Sequence, residues 1–534
     1  MDTRLLTDTD SLRRAQEPVD RAVERFRKSV RSHARRDGAD RHQLAAYELA
    51  WAVARQAAAK GTTEWAERAG DELSVLIASV ATAESILRLR HLCGSGDVYG
   101  VDPSDFDDGD ILDLLEVTHA PEILEAIGAR VVEAEGAAES LGADASELRR
   151  RFRRFAETVV APVAQEVHRR DLDVPASFIE GAASHGLFGF SVPEAYGGGQ
   201  TGELDPMPML EATEELASVS LLAGSLITRP EILIRALLKG GTEEQRRRWL
   251  PAIASGRSMV AVAVSERGHG SDVGGITCRA GREADGSWVV TGGKYWCGFA
   301  ARAELIALLA RTSDRGHRGL TLFVVEKPAF AGHEFEHRGE AGGLMRGRAI
   351  PTIGYRGMHT YELEFDRYRL PANAVVGGAA GADRGFYLQM EGFSMSRLQT
   401  AARGVGVMQA AVADSARYSR GRAVFGRPIA EYQLPLAMLA RMAVRLASSR
   451  RLTYSAAREL RDGHGQIACA LAKMYSARMA ETVARDALQL HGGIGYSEET
   501  PVSRYFVDAR LLPIFEGTEE VLALRVIAKA LLDD

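Results

Sequence analysis

The sequence predicts a mainly α-helical protein with one central antiparallel β-domain, on three observations. Apolar residues recur at helical spacing in both end regions. Between about residues 259 and 378 the pattern changes to short apolar runs separated by Gly/Asp turns. No strand-GxGxxG-helix unit occurs, so the β-region is not a Rossmann dinucleotide sheet. At 534 residues the chain exceeds one hydrophobic core, and three or four domains are expected.

Residues 1–145 read as a helical extension. Val19, Val23, Phe26 and Val30 form one stripe, and Leu44, Tyr47 and Trp51 a second. A third helix runs from about Glu72 to Arg90, and the stretch from Gly94 to Asp110 reads as a loop. Nothing here has catalytic spacing, which favours an interaction or oligomerisation module. Residues 146–258 form a second helical domain, interrupted by Val192–Gly199. At its start Leu148, Phe152, Phe155 and Val159 share a face, which puts Arg149, Arg150, Arg151, Arg153 and Arg154 on the wet side. In the β-domain, 259–378, strands are expected at Val262–Val264, Trp288–Val290, Leu305–Leu309, Leu320–Val325 and Tyr361–Phe365. Residues 379–534 return to long helices, with a break at His491–Tyr496.

Hydrophobic residues make up 46% and charged residues 26%, an ordinary globular balance, and the net charge is -6. That charge gives no case for nucleic acid or an anionic membrane as partner. Cys93, Cys278, Cys297 and Cys469 are scattered without a CxxC, so neither a disulfide framework nor a metal site is expected. The opening MDTRLLTDTDSLRR lacks the apolar core of a signal peptide, and no segment has membrane-spanning length. A cytoplasmic location is the default.

Five segments carry the chemistry. Ser265-Glu266-Arg267-Gly268-His269-Gly270-Ser271 follows a strand and offers hydroxyl and backbone donors for a polar edge or phosphate. Thr291-Gly292-Gly293-Lys294-Tyr295-Trp296 brings an indole to the end of another strand, where a core role is the commoner one. Arg422–Ile429 and Gln489-Leu490-His491-Gly492-Gly493 follow. Last comes Phe515-Glu516-Gly517-Thr518, with Leu511, Leu512 and Ile514 before it. A carboxylate so placed is expected to lose solvation and rise in pKa toward a general base. By itself, Glu516 more often reads as a solvated turn residue or a charge favouring a helix N-terminus.

Taken in this order, the segments resemble the acyl-CoA dehydrogenase family over residues from about 150 to 534. The resemblance implies FAD as cofactor, an acyl-CoA substrate and electron-transferring flavoprotein as acceptor. It also implies a homodimer or homotetramer and a helical domain, β-domain and four-helix bundle in that order. By position, Ser265 should bond the flavin pyrimidine edge, Ser271 should sit by the pyrophosphate or CoA, and Trp296 should lie against the isoalloxazine. Arg422 and Phe425 should reach FAD in a neighbouring subunit, with Gln489 and Gly493, and Thr518 should meet the dinucleotide. Glu516 is the implied base for the α-proton, with flavin N5 as hydride acceptor and Arg397 close to the catalytic loop.

Two departures stand out. Where the family commonly has Trp-Ile-Thr or Trp-Ile-Ser, this chain has Trp296-Cys297-Gly298, leaving only a backbone N–H at Gly298. Where it has Thr-Glu-Pro, this chain has Ser265-Glu266-Arg267, which adds a charge.

The extension (Asp40–Trp51), Ile353–Met358 and Thr400–Arg403 resemble the subgroup that oxidises methylsuccinyl-CoA in the ethylmalonyl-CoA pathway. Such a substrate ends in a carboxylate and calls for a cation in the acyl pocket. Arg229 is the candidate, with Thr228 as helper, and its competing reading is an ion pair with Glu231 or another surface carboxylate. The alternatives are an acyl-CoA dehydrogenase of other short or branched-chain range, an acyl-CoA oxidase and a non-catalytic flavoprotein interaction module.

Overall fold

A computed structural model describes residues 9–533, so the first eight residues of the opening read against a signal peptide lie outside the described residues. The chain forms two compact units. Residues up to Arg150 and from Thr400 onward make one, and Arg151–Gln399 make the other.

The unit Arg151–Gln399 is built on a sheet of eight strands: β1 Val260–Ala263, β2 Arg279–Arg282, β3 Trp288–Gly298, β4 Leu305–Arg311, β5 Leu320–Glu326, β6 Glu334–Arg338, β7 Leu344–Ile350 and β8 Thr360–Leu370. The order is β1-β4-β2-β3-β8-β7-β6, with β5 also on β4. Pairing is antiparallel except at β1–β4 and a single β2–β4 contact. Apolar runs give β4 and β5, which are buried nearly throughout. The short strands β2, β6 and β7 were not expected, because exposed charge and glycine mask their alternation. Leu233, Ile234, Trp249, Leu250 and Ile253, from helices Glu231–Gly240 and Glu243–Ala254, pack with Val260, Leu309, Leu322 and Val324 as one core. The β3–β8 register shifts between Val290 and Gly292 and again between Lys294 and Cys297. Such bulges re-aim side chains, and the second holds Trp296.

The other unit joins the extension to the C-terminal bundle. Helices Thr9–Asp37, Gln43–Ala69, Glu72–Arg90, Gly109–His119 and Pro121–Glu133 pack with Gln433–Arg461, Gln466–His491 and the last turns Leu522–Ala528. Leu12, Phe26, Leu49, Ile86 and Ile111 share their core with Ala528. At Gly128 a Cβ would lie 2.3 Å from the Leu436 carbonyl oxygen, so only glycine lets those two helices meet so closely. Two buried arginines of the bundle also end on the extension. Arg450 donates to the Leu141 carbonyl at 2.5 Å, and Arg451 pairs with Asp144 at 3.1 Å. A buried guanidinium without such partners would cost several kcal/mol, so the extension completes this bundle.

Two readings need correction. Leu44 is 79% exposed and not part of a buried stripe with Tyr47 and Trp51; Ala45, Leu49 and Trp51 are buried there instead. Arg149 is buried rather than wet, and donates to the Tyr454 hydroxyl at 2.5 Å. Helical spacing identifies the apolar face but not a second helix covering the polar one. Arg150, Arg151 and Arg154 are exposed as expected, and Arg153 pairs with buried Glu215 at 3.0 Å.

Candidate functional site

In the unit Arg151–Gln399, Ser265, Trp296 and Gly298 lie together at the bulged end of β3. Trp296 is 56% exposed with φ +63°. A bulky residue in the left-handed region costs of order 1–3 kcal/mol and persists only where its surroundings over-determine it. Its neighbours do so. Lys294, wholly buried, donates to Glu266 at 2.9 Å and to the Val264 carbonyl at 2.9 Å. Glu266 also accepts from the Thr277 and Cys278 N–H groups, at 2.7 and 2.8 Å. Burial alone would raise the Glu266 pKa, but Lys294 and those two N–H groups outweigh it and hold the carboxyl below its ordinary value. The Tyr295 N–H donates to the Ser265 carbonyl at 2.8 Å, joining the Ser265 turn to β3. Ser265 is half-buried, while Ser271 is exposed. The added charge of Arg267 is absorbed locally: its guanidinium binds Glu362 at 2.7 and 2.8 Å and lies over the Tyr295 ring at 4.5 Å.

The same strand end explains the missing hydroxyl. A Cβ on Gly298 would stand 2.2 Å from Arg229 Nη2 and 2.8 Å from its Cζ. The guanidinium therefore occupies the space a side chain at 298 would take. Its Nε is buried without a hydrogen-bond partner, and Nη2 reaches only the Tyr355 hydroxyl at 3.5 Å, the outer limit for a hydrogen bond. Glu231, the competing partner, binds Arg235 at 2.7 Å instead. Among the described residues no carboxylate pairs with Arg229. Thr228 is buried, and its hydroxyl donates to the Ser225 carbonyl at 2.9 Å, so its hydrogen is already engaged within the helical turn. The Cys297 thiol beside them is pushed up to about 12 by burial, an inert side chain rather than a nucleophile.

In the other unit Glu516 sits at φ +57° in the turn before helix Glu519–Val521. It is half-buried, and Ile514 is 48% exposed, so the carboxylate is less enclosed than its apolar neighbours in sequence suggested. The loop itself is well tethered. Buried Lys473 donates to the Gly517 carbonyl at 2.7 Å, buried Arg403 lies over Phe515 at 5.0 Å, and the Thr518 hydroxyl caps the Val521 N–H at 3.3 Å. Arg403 is fixed in turn by the Thr400 hydroxyl at 2.6 Å. Next in sequence, Glu519 is buried against Arg478 at 2.7 Å and against the Tyr47 hydroxyl from the extension. Sequence reading passed over Lys473, and no motif marks it. Arg397, one helical stretch before Arg403, lies over Phe393 at 5.6 Å.

Arg422 and Phe425 occupy a two-stranded hairpin, β9 Ala423–Val424 with β10 Arg427–Pro428. Phe425 is 97% exposed at φ +50°. Gln489 and Gly493, both exposed, lie at the end of helix Gln466–His491 and the turn after it. Tyr418 links these two places, stacking on His491 at 4.3 Å and donating to its carbonyl at 3.2 Å. Trp296, Phe425 and Glu516 are thus three non-glycine residues in the left-handed region, a property no sequence pattern announces.

A mostly antiparallel sheet flanked in sequence by helical regions is the architecture of solved acyl-CoA dehydrogenases. The chain belongs to the acyl-CoA dehydrogenase family. Models of that family's N-terminal, middle and C-terminal domains match residues 142–257, 261–368 and 383–532. With membership comes FAD-dependent α,β-dehydrogenation of an acyl-CoA, and the exposed Trp296 face and Ser265 turn suit a planar, polar-edged cofactor. The chain is 36% identical to a (2S)-methylsuccinyl-CoA dehydrogenase from Cereibacter sphaeroides over 92% of its length and 91% of that protein's. Mitochondrial isovaleryl-CoA dehydrogenase of Solanum tuberosum is 34% identical over 69% of this chain and 85% of its own. The first match therefore takes in the extension, and the second does not need it. Butyryl-CoA dehydrogenase from Megasphaera elsdenii superposes with a TM-score of 0.67 at 28% identity, over 73% of this chain and 99% of that one. Among the described residues no helix is long and apolar enough to cross a membrane.

Proposed function

We propose that this protein oxidises a short, branched dicarboxylic acyl-CoA, namely (2S)-methylsuccinyl-CoA to mesaconyl-CoA. The observation that carries the reading is Arg229, a half-buried cation against Gly298 with hydrogen-bonding capacity left over. A terminal carboxylate supplies two acceptors for that guanidinium, and a fatty-acyl chain supplies none. Tyr355 presents its hydroxyl on the same side, from a backbone at φ +59°. The relative from Cereibacter sphaeroides, matched through the extension, supports the same substrate.

In this reading Glu516 accepts the proton from the carbon next to the thioester. Lys473, Arg403 and Thr518 hold its loop still, so the carboxylate needs no rearrangement to act. Bound FAD supplies the two-electron acceptor for the hydrogen of the neighbouring carbon. Trp296 and Ser265 receive the cofactor, with Ser271 toward its pyrophosphate or the CoA chain and Thr518 toward the dinucleotide near the catalytic loop. Arg422, Phe425, Gln489 and Gly493 serve the FAD of another subunit, which makes the protein a homodimer or homotetramer. A nearly fully exposed phenylalanine on a strained hairpin has a reason in such an assembly. Electrons leave to electron-transferring flavoprotein, in the cytoplasm.

The test is anaerobic titration of the yellow protein with a panel of CoA thioesters, in wild type and Arg229→Ala. Methylsuccinyl-CoA should bleach the wild type at the lowest concentration. Arg229→Ala should raise KM for it by roughly 10²-fold, the scale of a lost charge-assisted contact, and leave butyryl-CoA nearly unchanged. Equal losses on both substrates would reject the carboxylate role.

A further inference from the structure

In the unit Arg151–Gln399, three segments converge on a cluster that the oxidation does not use. Asp171 is the C-cap of helix Ala161–Arg170, His333 lies just before β6, and His359 just before β8. The Nε2 atoms of His333 and His359 are 3.1 Å apart. Asp171 Oδ1 lies 3.3 Å from His359 Nε2, and its Oδ2 lies 3.6 Å from His333 Nε2. Two imidazole nitrogens this close cannot both present lone pairs to each other; a positive centre, proton or metal ion, must lie between them.

The surroundings decide which lone pairs are offered. Asp173 Oδ1 is 3.0 Å from His359 Nδ1, and its Oδ2 accepts from the Gly332 N–H at 3.0 Å. A carboxylate on Nδ1 fixes the hydrogen there and leaves Nε2 as a ligand, the usual outer partner of a metal-bound histidine. The rings cross edge to face at 88° and are not stacked, and the close approach is between the two Nε2 atoms. Asp171 and His359 both hold left-handed backbone, φ +51° and +37°, and neither is glycine. On one zinc ion, with Zn–N bonds of about 2.0–2.1 Å, two nitrogens lie about 3–3.4 Å apart, and the pair here falls in that range. His333 is 52% exposed on its side chain, so an ion can enter from solvent and keep a water as a further ligand.

The geometry points to a divalent transition-metal site, Zn²⁺ by ligand type, formed by Asp171, His333 and His359 with Asp173 behind His359. Its role is structural. The ion ties the end of helix Ala161–Arg170 to the start of β8, where the His359 carbonyl accepts the Phe299 N–H at 2.8 Å. Phe299 directly follows Gly298, so the metal braces the strand end on which Arg229 rests.

Untagged holoenzyme, purified without chelator, should contain one zinc per chain by elemental analysis. After chelation and dialysis, added Zn²⁺ should restore that stoichiometry and raise Tm by about 2 °C or more. Asp171→Asn and the exposed-residue variant His333→Ala should both lose the zinc and the Tm response while keeping their flavin spectrum. Wild type without stoichiometric metal, and with a Tm indifferent to Zn²⁺, would overturn the site and leave a shared proton between the histidines. Zinc retained in both variants would overturn it equally, by placing the metal elsewhere.

Discussion

Two cations stand on either side of Trp296, and the molecule treats them in opposite ways. Lys294, two residues before it, is wholly buried and paired with Glu266, with a second bond to the Val264 carbonyl. Arg229, lodged against Gly298 two residues after it, keeps a buried Nε without a partner. A buried charge paired with a carboxylate builds structure, and one with no carboxylate beside it can take an anionic ligand. The unit holding Glu516 repeats the contrast. Lys473 and Arg403 spend their charge on the loop, while the Glu516 side chain is left half-buried at its tip.

The sharpest way to break this contrast is to remove each kind of charge and ask what is lost. Glu516→Gln should lower kcat by about 10²–10⁴-fold, the usual contribution of a general base. It should leave the FAD spectrum and Tm near wild type. Normal anaerobic bleaching by that variant would remove Glu516 from the chemistry.

Lys294→Met should do the reverse, losing about 3–5 kcal/mol of stability because Glu266 is left buried and unpaired. Its pH dependence has a definite sign. In the wild type the Glu266 pKa is lowered, so its stabilisation is present above the ordinary glutamate pKa and lost as pH falls through the folded value. Without Lys294, burial is opposed only by the Thr277 and Cys278 hydrogen bonds, so the Glu266 pKa rises from its wild-type value and the variant loses less stability than the wild type as pH falls. The stability gap between the two proteins should therefore narrow on acidification through about pH 4–5. Denaturant unfolding at several pH values measures it, and a gap that is constant or widens contradicts the assignment.

The smallest effect sharpens the Arg229 side. Gly298→Ser should push the guanidinium aside and erode the preference for a dicarboxylic over a monocarboxylic acyl-CoA. In the Arg229→Ala background the same change should be nearly silent, giving a coupling of about 1–3 kcal/mol in kcat/KM. Additive effects would mean that glycine at 298 is unrelated to Arg229.

Much of the fold was legible in the chain, because periodicity follows directly from which faces must be buried. The helical regions and the long strands β3, β4, β5 and β8 fall where apolar residues recur. β2, β6 and β7 were not legible, since their strand character comes from pairing with neighbours. Arg149 shows the same limit: its spacing says solvent, and a distant Tyr454 makes it core.

By itself the sequence determined the order of helices and strands, the presence of Trp296, Arg229 and Glu516, and the family they resemble. Those are properties of residue type and local spacing. Only the tertiary structure decided that Gly298 is small to admit Arg229 and that Glu231 is engaged elsewhere. It also decided that Trp296, Phe425 and Glu516 hold strained backbone, and that buried arginines of the bundle end on the extension. These depend on atoms far apart in the chain competing for one volume or one hydrogen bond, and local spacing carries no record of that competition.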